Sequence, residues 1–331
     1  MQRWYYLPED KLPVMFNMLK EKYAIVAPTK NGDKHFYTVV DDYSKVSLNY
    51  VRTVTPLKKF LYPNGEILYT YNIKAENIEI EYSAPSGKYC FFGVHPCDSN
   101  ALVVLDFILS STHPDFHYTQ RRRNSFIVVL DCKTSDEYCF CESVNSRIPW
   151  PGSYNIRLYP ANGGFKLQSQ GAEADNLVSM LKLEETDPPA LAGGINKSKF
   201  DLPSPDKILR LYESETWDEW AGKCLFCGSC IASCPTCACF DVRDEINGEL
   251  TSGYRFRVYD GCVFKGFTKV AGGRVDRESE NERFKNRFYH KFVEIPSALG
   301  RMGCTGCGRC IAYCPRGINP VEVLLSLKGG Q

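Results

Sequence analysis

The chain has 331 residues, about the length of two domains, and 44% of them are apolar while 24% are charged. Forty Lys and Arg residues against 39 Asp and Glu residues give a formal charge of +1, which excludes a generally basic nucleic-acid binder. No apolar run approaches the ~20 residues needed to span a bilayer, and the first residues lack the apolar core of a signal peptide. The composition therefore predicts a cytoplasmic globular protein without a membrane span.

The N-terminal elements read as a helix followed by a pair of strands. Apolar spacing predicts a short amphipathic helix within residues 1–23. Strands are predicted at 23–27 and 35–40, on either side of the turn at 30–33.

A strand–helix–strand pattern follows. A strand at 88–94 leads into Asp98, which we expect to cap a helix over 99–109, and a second strand covers 125–130. This order is typical of a βαβ unit, so the sequence predicts a partly parallel sheet.

The next elements lead to a domain boundary. Residues 156–168 read as a hairpin and 172–183 as a helix, and the Pro- and Gly-rich stretch 187–205 reads as a linker. We therefore predict an α/β domain over 1–200, which docks partners, and a second domain over 201–331.

Cysteine is the unusual component of the sequence. Five of the sixteen cysteines lie in the first 220 residues and eleven lie in the last 111. A secreted disulfide scaffold is usually shorter and carries a signal sequence, whereas clustered cysteines in a large cytosolic chain indicate bound metal.

Two runs of the form C-x2-C-x2-C-x3-C-P form the one internal repeat of the sequence. They consist of Cys224, Cys227, Cys230, Cys234 and Pro235, and of Cys304, Cys307, Cys310, Cys314 and Pro315. This spacing is typical of [4Fe–4S] binding, because three closely spaced cysteines surround one cluster while the fourth reaches the other. Small residues at Gly228, Gly306 and Gly308 are expected to let backbone N–H groups approach the cluster sulfurs.

The repeat predicts two clusters with crossed ligand sets. The sets are Cys224, Cys227, Cys230 and Cys314 for the first cluster, and Cys304, Cys307, Cys310 and Cys234 for the second. The alternative is a pair of zinc ribbons, although zinc sites usually use two separate C-x2-C pairs.

The long segment between the runs favours an α-helical ferredoxin domain in which helices carry both runs. It contains a predicted helix over 280–292. Its basic residues either tune the cluster potentials or form an ordinary solvated face. They are Arg255, Arg257, Lys265, Lys269, Arg274, Arg277, Arg283, Lys285, Arg287 and Lys291.

Four earlier cysteines predict a third metal site. Cys97 and Cys132 each follow one of the two parallel strands, so their loops are expected at one edge of the sheet, and Cys139 and Cys141 lie just beyond. The four thiols could hold a third [4Fe–4S] cluster or a zinc ion. The alternative is that they are buried or free cysteines.

The remaining cysteines are predicted to pack in the interior rather than to bind metal. Cys237, Cys239 and Cys262 are expected to pack near a cluster, although any of them could replace a predicted ligand. Cys90 reads as a core strand residue, and His95 as structural.

No motif for substrate chemistry is present. The sequence contains no G-x-G-x-x-G, no G-x-x-x-x-G-K-[ST] and no G-x-S-x-G. We therefore assign no general acid, base or nucleophile, and predict that the chain is a non-catalytic electron carrier.

Several motifs together resemble a known family. They are Phe92-Gly-Val-His-Pro-Cys-Asp98, Asp131-Cys132, Cys139-Phe-Cys141, Cys234-Pro-Thr-Cys-Ala-Cys-Phe-Asp241 and Cys304-Thr-Gly-Cys-Gly-Arg-Cys310. The chain resembles the iron–sulfur β subunit of cytoplasmic sulfhydrogenase-type [NiFe] hydrogenases, and it is similar to the electron-transfer subunit of anaerobic sulfite reductase.

The resemblance implies an electron relay within a complex. Its partners would be the small and large hydrogenase subunits together with a flavin- and NAD(P)H-binding subunit, or else a sirohaem sulfite reductase subunit. Two rival hypotheses are a free-standing enzyme with a small-molecule site and a structural protein whose clusters only brace the fold.

Overall fold

The computed structural model describes residues 3–74, 77–85, 87–190, 195 and 199–327. Its strands are β1 (Trp4–Pro8), β2 (Ala24–Asn31), β3 (Lys34–Val40), β4 (Glu66–Lys74), β5 (Asn77–Tyr82), β6 (Tyr89–Val94), β7 (Ser125–Leu130), β8 (Ile156–Ala161), β9 (Gly164–Ser169), β10 (Glu184–Thr186), β11 (Phe240–Ile246) and β12 (Ser252–Tyr259).

The α-helices are α1 (Lys11–Lys20), α2 (Lys58–Leu61), α3 (Pro96–Ser110), α4 (Phe116–Arg123), α5 (Ala172–Leu181), α6 (Pro205–Arg210), α7 (Thr216–Lys223), α8 (Ser229–Ala232), α9 (Glu280–Tyr289), α10 (Ile295–Leu299), α11 (Arg309–Ala312) and α12 (Pro320–Ser326). Short 3-10 turns cover Tyr43–Lys45, Cys141–Val144 and Lys265–Thr268, and a π-helical turn over His290–Glu294 joins α9 to α10.

The first half of the chain forms an eight-stranded sheet with the order β10-β1-β9-β8-β7-β6-β2-β3. The central pairs β2–β6, β6–β7 and β7–β8 are parallel, and the outer pairs are antiparallel. The predicted α/β fold with a partly parallel sheet is therefore confirmed.

Helices cover both faces of this sheet because its central strands are apolar on both sides. On β6, Cys90 and Phe92 pack in one cluster with the buried residues of α1 and α5. Phe91 packs on the opposite face with Leu102 and Leu105 of α3. Cys90 is fully buried, as expected of a core strand residue.

Asp98 does not cap the helix that it was expected to begin. The helix starts earlier, with His95 as its N-terminal flanking residue, and Asp98 lies inside the first turn. Because the proline at position 96 favours the first helical position, the helix begins before Asp98.

A four-stranded antiparallel sheet, with the order β11-β12-β4-β5, joins the two halves of the chain. Its hairpin β11–β12 lies between the two cysteine runs and pairs with β4 through contacts such as Gly253 opposite Tyr71. The purely α-helical architecture expected for the ferredoxin domain is therefore not confirmed. The division of the chain at residue 200 stays a prediction, and the expected linker 187–205 includes positions 191–194 and 196–198, which are outside the described residues.

The helices of the second half pack around an aromatic core. Trp217 of α7 contacts Phe284, Phe288 and Tyr289 of α9, with ring centroids 5.4–6.5 Å apart. The helix expected over 280–292 is present as α9 and the π-helical turn that extends it.

Within the residues that the structure describes, none of the helices has the length and apolar character that a bilayer crossing requires.

Candidate functional site

The first cysteine run lines a cavity together with the last cysteine of the second run. Cys224 follows α7 directly, Cys230 lies on α8, and Cys227 is on the turn between them. Cys314 comes from beyond α11 and lines the same cavity, as does Cys310. The structure therefore brings together all four cysteines that the sequence assigned to the first cluster.

These four thiols also interact electrostatically. Burial raises the pKa of the Cys224 thiol, and the thiols of Cys230, Cys314 and Cys227 raise it further. The thiolate form of each cysteine is therefore disfavoured by repulsion from its neighbours, unless a cation lies between the four sulfurs.

The second predicted set converges in the same way. Burial raises the pKa of Cys304 to about 12, and the Cys234 and Cys307 thiols contribute to the increase. Burial also raises the pKa of Cys310, whose neighbours include Cys304, Cys307 and Cys234. The fourth cysteine of each run thus lies with the first three of the other run.

The two runs have the same local backbone. Phe226 and Gly228 in the first run have φ values of 51° and 77°, and Gly306 and Gly308 in the second have 64° and 75°. Each pair of left-handed residues turns the chain back before a short helix, α8 or α11, begins. This turn places three cysteines around one space.

Backbone N–H groups donate to the cysteine sulfurs in both runs. Donor–acceptor distances are 3.3 Å from Phe226 to Cys224, 3.4 Å from Gly306 to Cys304 and 3.3 Å from Ile318 to Cys314. Such donors stabilise negative charge on a ligating sulfur.

The glycines of the runs also have a role that was not expected. A Cβ on Gly228 would lie 2.3 Å from the Phe264 ring, and one on Gly306 would lie 2.5 Å from the backbone nitrogen of Cys141. A Cβ on Gly308 would lie 2.5 Å from the carbonyl oxygen of Tyr138. These glycines therefore let neighbouring segments approach closely.

The four cysteines of the predicted third site line one small cavity. Cys97 comes from the first turn of α3, Cys132 from the loop after β7, and Cys139 and Cys141 from the segment that follows. Cys307 of the second run lines the same cavity. Burial raises the pKa of Cys132 well above its ordinary value, and the Cys141 and Cys139 thiols raise it further.

Arg52 joins this third group to the second run. Its Nε donates to the Cys307 carbonyl oxygen at 3.3 Å and its Nη2 to Cys139 Sγ at 3.3 Å. Nη2 also pairs with Asp136, while the Phe140 N–H donates to the Gly306 carbonyl oxygen at 3.0 Å. The two groups of cysteines are therefore held side by side.

Several basic residues of the segment between the runs are buried rather than solvated. Arg257, Arg283, Lys285 and Lys291 are each less than 9% exposed. Arg287 lines the first cavity, and its neighbours include Cys230 and Cys310. The hypothesis of an ordinary solvated face is wrong for these residues.

The three additional cysteines lie near the cysteine runs. Cys237 lies beside Cys234, and each thiol affects the pKa of the other. Burial raises the pKa of Cys262 to about 11, and its neighbours include Cys239 and Cys230. This placement agrees with packing near the cysteine runs, and a ligand role for any of the three stays open.

His95 has structural contacts. Its Nδ1 lies 3.1 Å from the Val51 carbonyl oxygen, and its ring stacks on Tyr50 with centroids 4.0 Å apart. Burial lowers the pKa of His95 to about 4, so the ring is neutral near pH 7.

Sequence reasoning missed Arg52, Lys58 and Thr236. Lys58 is 1% exposed and donates to the carbonyl oxygens of Ile231 and Cys237. Each of these three side chains acts across more than 60 positions of sequence, and no local pattern marks such a contact.

The donor chemistry of the site fits iron–sulfur binding. Cysteine thiolates are the usual ligands of such clusters, and hydrogen bonds to their sulfurs tune them. No three His, Cys, Asp or Glu side chains in the described portion of the chain are placed to hold a single metal ion. The thiols of the first and third groups instead line cavities.

The sequence of the chain is similar to those of known proteins. Residues 223–318 match the 4Fe-4S dicluster domain family. The chain is 31% identical to sulfhydrogenase 2 subunit beta of Pyrococcus furiosus, and the alignment covers 99% of each chain. No solved structure matches the chain.

Proposed function

The chain belongs to the family of sulfhydrogenase β subunits, and on that premise we propose that it relays electrons between the catalytic subunits of a [NiFe] hydrogenase complex and a flavin- and NAD(P)H-binding subunit. The family and the dicluster domain both support an electron-transfer iron–sulfur subunit. The observation that carries the proposal is the convergence of each cysteine run with the last cysteine of the other.

Two [4Fe–4S] clusters are proposed, with the crossed ligand sets predicted from the repeat. The first cluster would be held by Cys224, Cys227, Cys230 and Cys314, and the second by Cys304, Cys307, Cys310 and Cys234. Support comes from the shared cavity of the first set and from the mutual electrostatic effects within the second.

The chain contributes position, charge and exclusion of water. When bound, an iron–sulfur cluster supplies reversible one-electron transfer. The N–H groups of Phe226, Gly306 and Ile318 stabilise charge on the ligating sulfurs. Apolar side chains such as Phe284 and Phe288 line the first cavity and limit the access of water.

A third [4Fe–4S] cluster is proposed for Cys97, Cys132, Cys139 and Cys141. Zinc, the other occupant considered, is less well supported, because no three of the described side chains are placed to hold a single metal ion. Its support is the single cavity that the four cysteines line. Because Cys307 lines that cavity too, the third group lies beside the second, which suits a relay that leads from the ferredoxin domain into the α/β domain.

The proposal places the chain in a multi-subunit complex in the cytoplasm, without nucleic acid. The α/β domain over 1–200 would dock partners, and the domain over 201–331 would carry the paired clusters. Nothing in the comparisons favours the alternative destination, a sirohaem sulfite reductase, over the hydrogenase.

The ligand sets can be tested with pairs of substitutions in the full-length chain, purified without air. If the sets are crossed, Cys227→Ser with Cys314→Ser removes ligands from one cluster, whereas Cys307→Ser with Cys314→Ser removes ligands from both. The first pair should therefore lose about four iron atoms and the second about eight. The reverse pattern would show that each run holds its own cluster.

The destination of the electrons can be tested on the native complex. Nickel in near-stoichiometric amount without sirohaem is expected of the hydrogenase. Sirohaem without nickel would place the chain in a sulfite reductase, and the absence of both would remove the two destinations.

A further inference from the structure

Lys291 is a buried cation beside the second cysteine set. It is 3% exposed, and the partners recorded for its ammonium are a hydroxyl and a carbonyl oxygen rather than a carboxylate. Its Nζ donates to Thr236 Oγ1 at 2.6 Å and to the Gly303 carbonyl oxygen at 3.4 Å. Because burying an unpaired charge is costly, a negative charge is expected close by.

Thr236 connects Lys291 to two of the proposed ligands. Its Oγ1 accepts from Lys291 Nζ, lies 3.3 Å from Cys234 Sγ and donates at 2.7 Å to the carbonyl oxygen of Gly303, the residue before Cys304. Because the one hydroxyl proton is directed to Gly303, Thr236 holds the ammonium beside Cys234 rather than donating to the sulfur itself. The charge of Lys291 thus lies one side chain away from a thiolate at Cys234.

The backbone around Lys291 is held against the start of the second cysteine run. The residue lies in the π-helical turn His290–Glu294, and such turns are frequent at functional sites. The Gly303 N–H donates to the Lys291 carbonyl oxygen at 2.8 Å, and a Cβ on Gly303 would lie 3.0 Å from the Lys291 Cα. The start of the second run is therefore fixed against the turn that carries Lys291.

The first set has a corresponding cation in a different environment. Arg316 stands two residues after Cys314, as Thr236 stands two after Cys234, and its Nε donates at 3.3 Å to the carbonyl oxygen of Lys223, the residue before Cys224. Arg316 is exposed whereas Lys291 is buried. Solvent screens an exposed charge far more strongly than a buried one.

From this difference we infer that Lys291 is a positioning residue that gives the second cluster a higher reduction potential than the first. The inference rests on the proposed ligand sets. When a cluster accepts one electron it gains one negative charge, which a buried ammonium stabilises more than a solvated guanidinium does. Arg287 has neighbours in both sets, Cys230 of the first and Cys310 and Cys234 of the second, and the buried Lys58 also lies near Cys234. Both of these cations stay in place in the variants below, so a shift measured there belongs to Lys291.

The test is a redox titration, followed by electron paramagnetic resonance, of the cluster-loaded full chain. Cys304→Ser first identifies the component of the second cluster by its loss. Lys291→Met should then lower the midpoint potential of that component by about 59 mV. For a one-electron couple this shift corresponds to a tenfold change in the ratio of oxidised to reduced cluster. Lys291→Arg should retain the potential, and the matched variant Arg316→Met should shift the first cluster by much less.

A second variant covers the case in which Lys291→Met binds no iron. Lys291→Gln removes the charge but keeps an N–H donor for the Thr236 hydroxyl, so it should also lower the potential of the second cluster. An unchanged potential in Lys291→Met, or in Lys291→Gln if the methionine variant binds no iron, would overturn the inference. A wild-type chain with fewer than about eight iron atoms would instead contradict the ligand sets themselves.

Discussion

Arg309 of the second cysteine run forms a two-point ion pair with Asp98 in the first turn of α3. The distances are 2.8 Å from Nη1 to Oδ1 and 2.7 Å from Nη2 to Oδ2, and both side chains are 1% exposed. Arg309 also donates to the carbonyl and hydroxyl oxygens of Thr53. Because Arg309 lies between Cys307 and Cys310, and Asp98 follows Cys97, the pair joins the second cysteine set to the third.

Arg309→Met should therefore destabilise the chain strongly. It leaves the Asp98 carboxylate buried without its cation, and breaking a buried pair costs about 3–5 kcal/mol. Chemical denaturation measures the loss. Arg255→Met is the control, because it breaks an exposed pair with Asp244 and should change stability little. Equal effects of the two substitutions would show that the buried pair does not hold the two regions together.

Gly306→Ala should impair metal binding. Gly306 has a φ of 64°, and its added Cβ would lie 2.5 Å from the Cys141 nitrogen, so the second run and the Tyr138–Cys141 segment would be forced apart. We expect lower iron content and a lower melting temperature.

Gly300→Ala is the matched control for this substitution. Gly300 has a similar φ of 70°, but its Cβ would meet no atom within 4 Å. The free energy of unfolding of this variant should fall by only ~1 kcal/mol, which is the cost of holding a residue with a Cβ in the left-handed conformation. Its iron content should be unchanged. Iron loss in both variants would assign the effect to backbone conformation rather than to the close approach.

Cys132→Ser should remove the metal of the third site and leave the paired clusters in place. Iron analysis should show a loss of about four atoms if the site holds a [4Fe–4S] cluster, and zinc analysis should show the loss if it holds zinc. Cys90→Ala is the control, because Cys90 is buried in the core on β6 and should keep its metal content. A Cys132→Ser chain with the full wild-type metal content would leave these cysteines as packing residues only.

Local patterns account for much of the fold. The buried face of α1, formed by Leu12, Met15, Phe16 and Leu19, follows from helical spacing, and the parallel pair β6–β7 follows from the strand–helix–strand order. The same order predicted that the loops carrying Cys97 and Cys132 lie at one edge of the sheet. In the structure both cysteines line a single cavity.

Long-range contacts explain what the sequence did not predict. The hairpin β11–β12 lies between the runs, in a domain expected to be α-helical, and it is stabilised by pairing with β4, about 180–190 positions away. Asp98 has the local sequence of a helix cap, but its partner Arg309 is 211 positions distant. Lys291 lies in a basic helix, and only the tertiary fold shows which of those cations are buried.

The relay requires that electrons pass through this chain, and the most direct test is hydrogen-dependent NAD(P)+ reduction by the purified complex containing Cys227→Ala. We predict that this variant loses the iron of one cluster and the coupled activity while the complex keeps its nickel, because the path between the nickel–iron site and the flavin is interrupted. Full coupled activity in a complex that has lost that iron would contradict the relay.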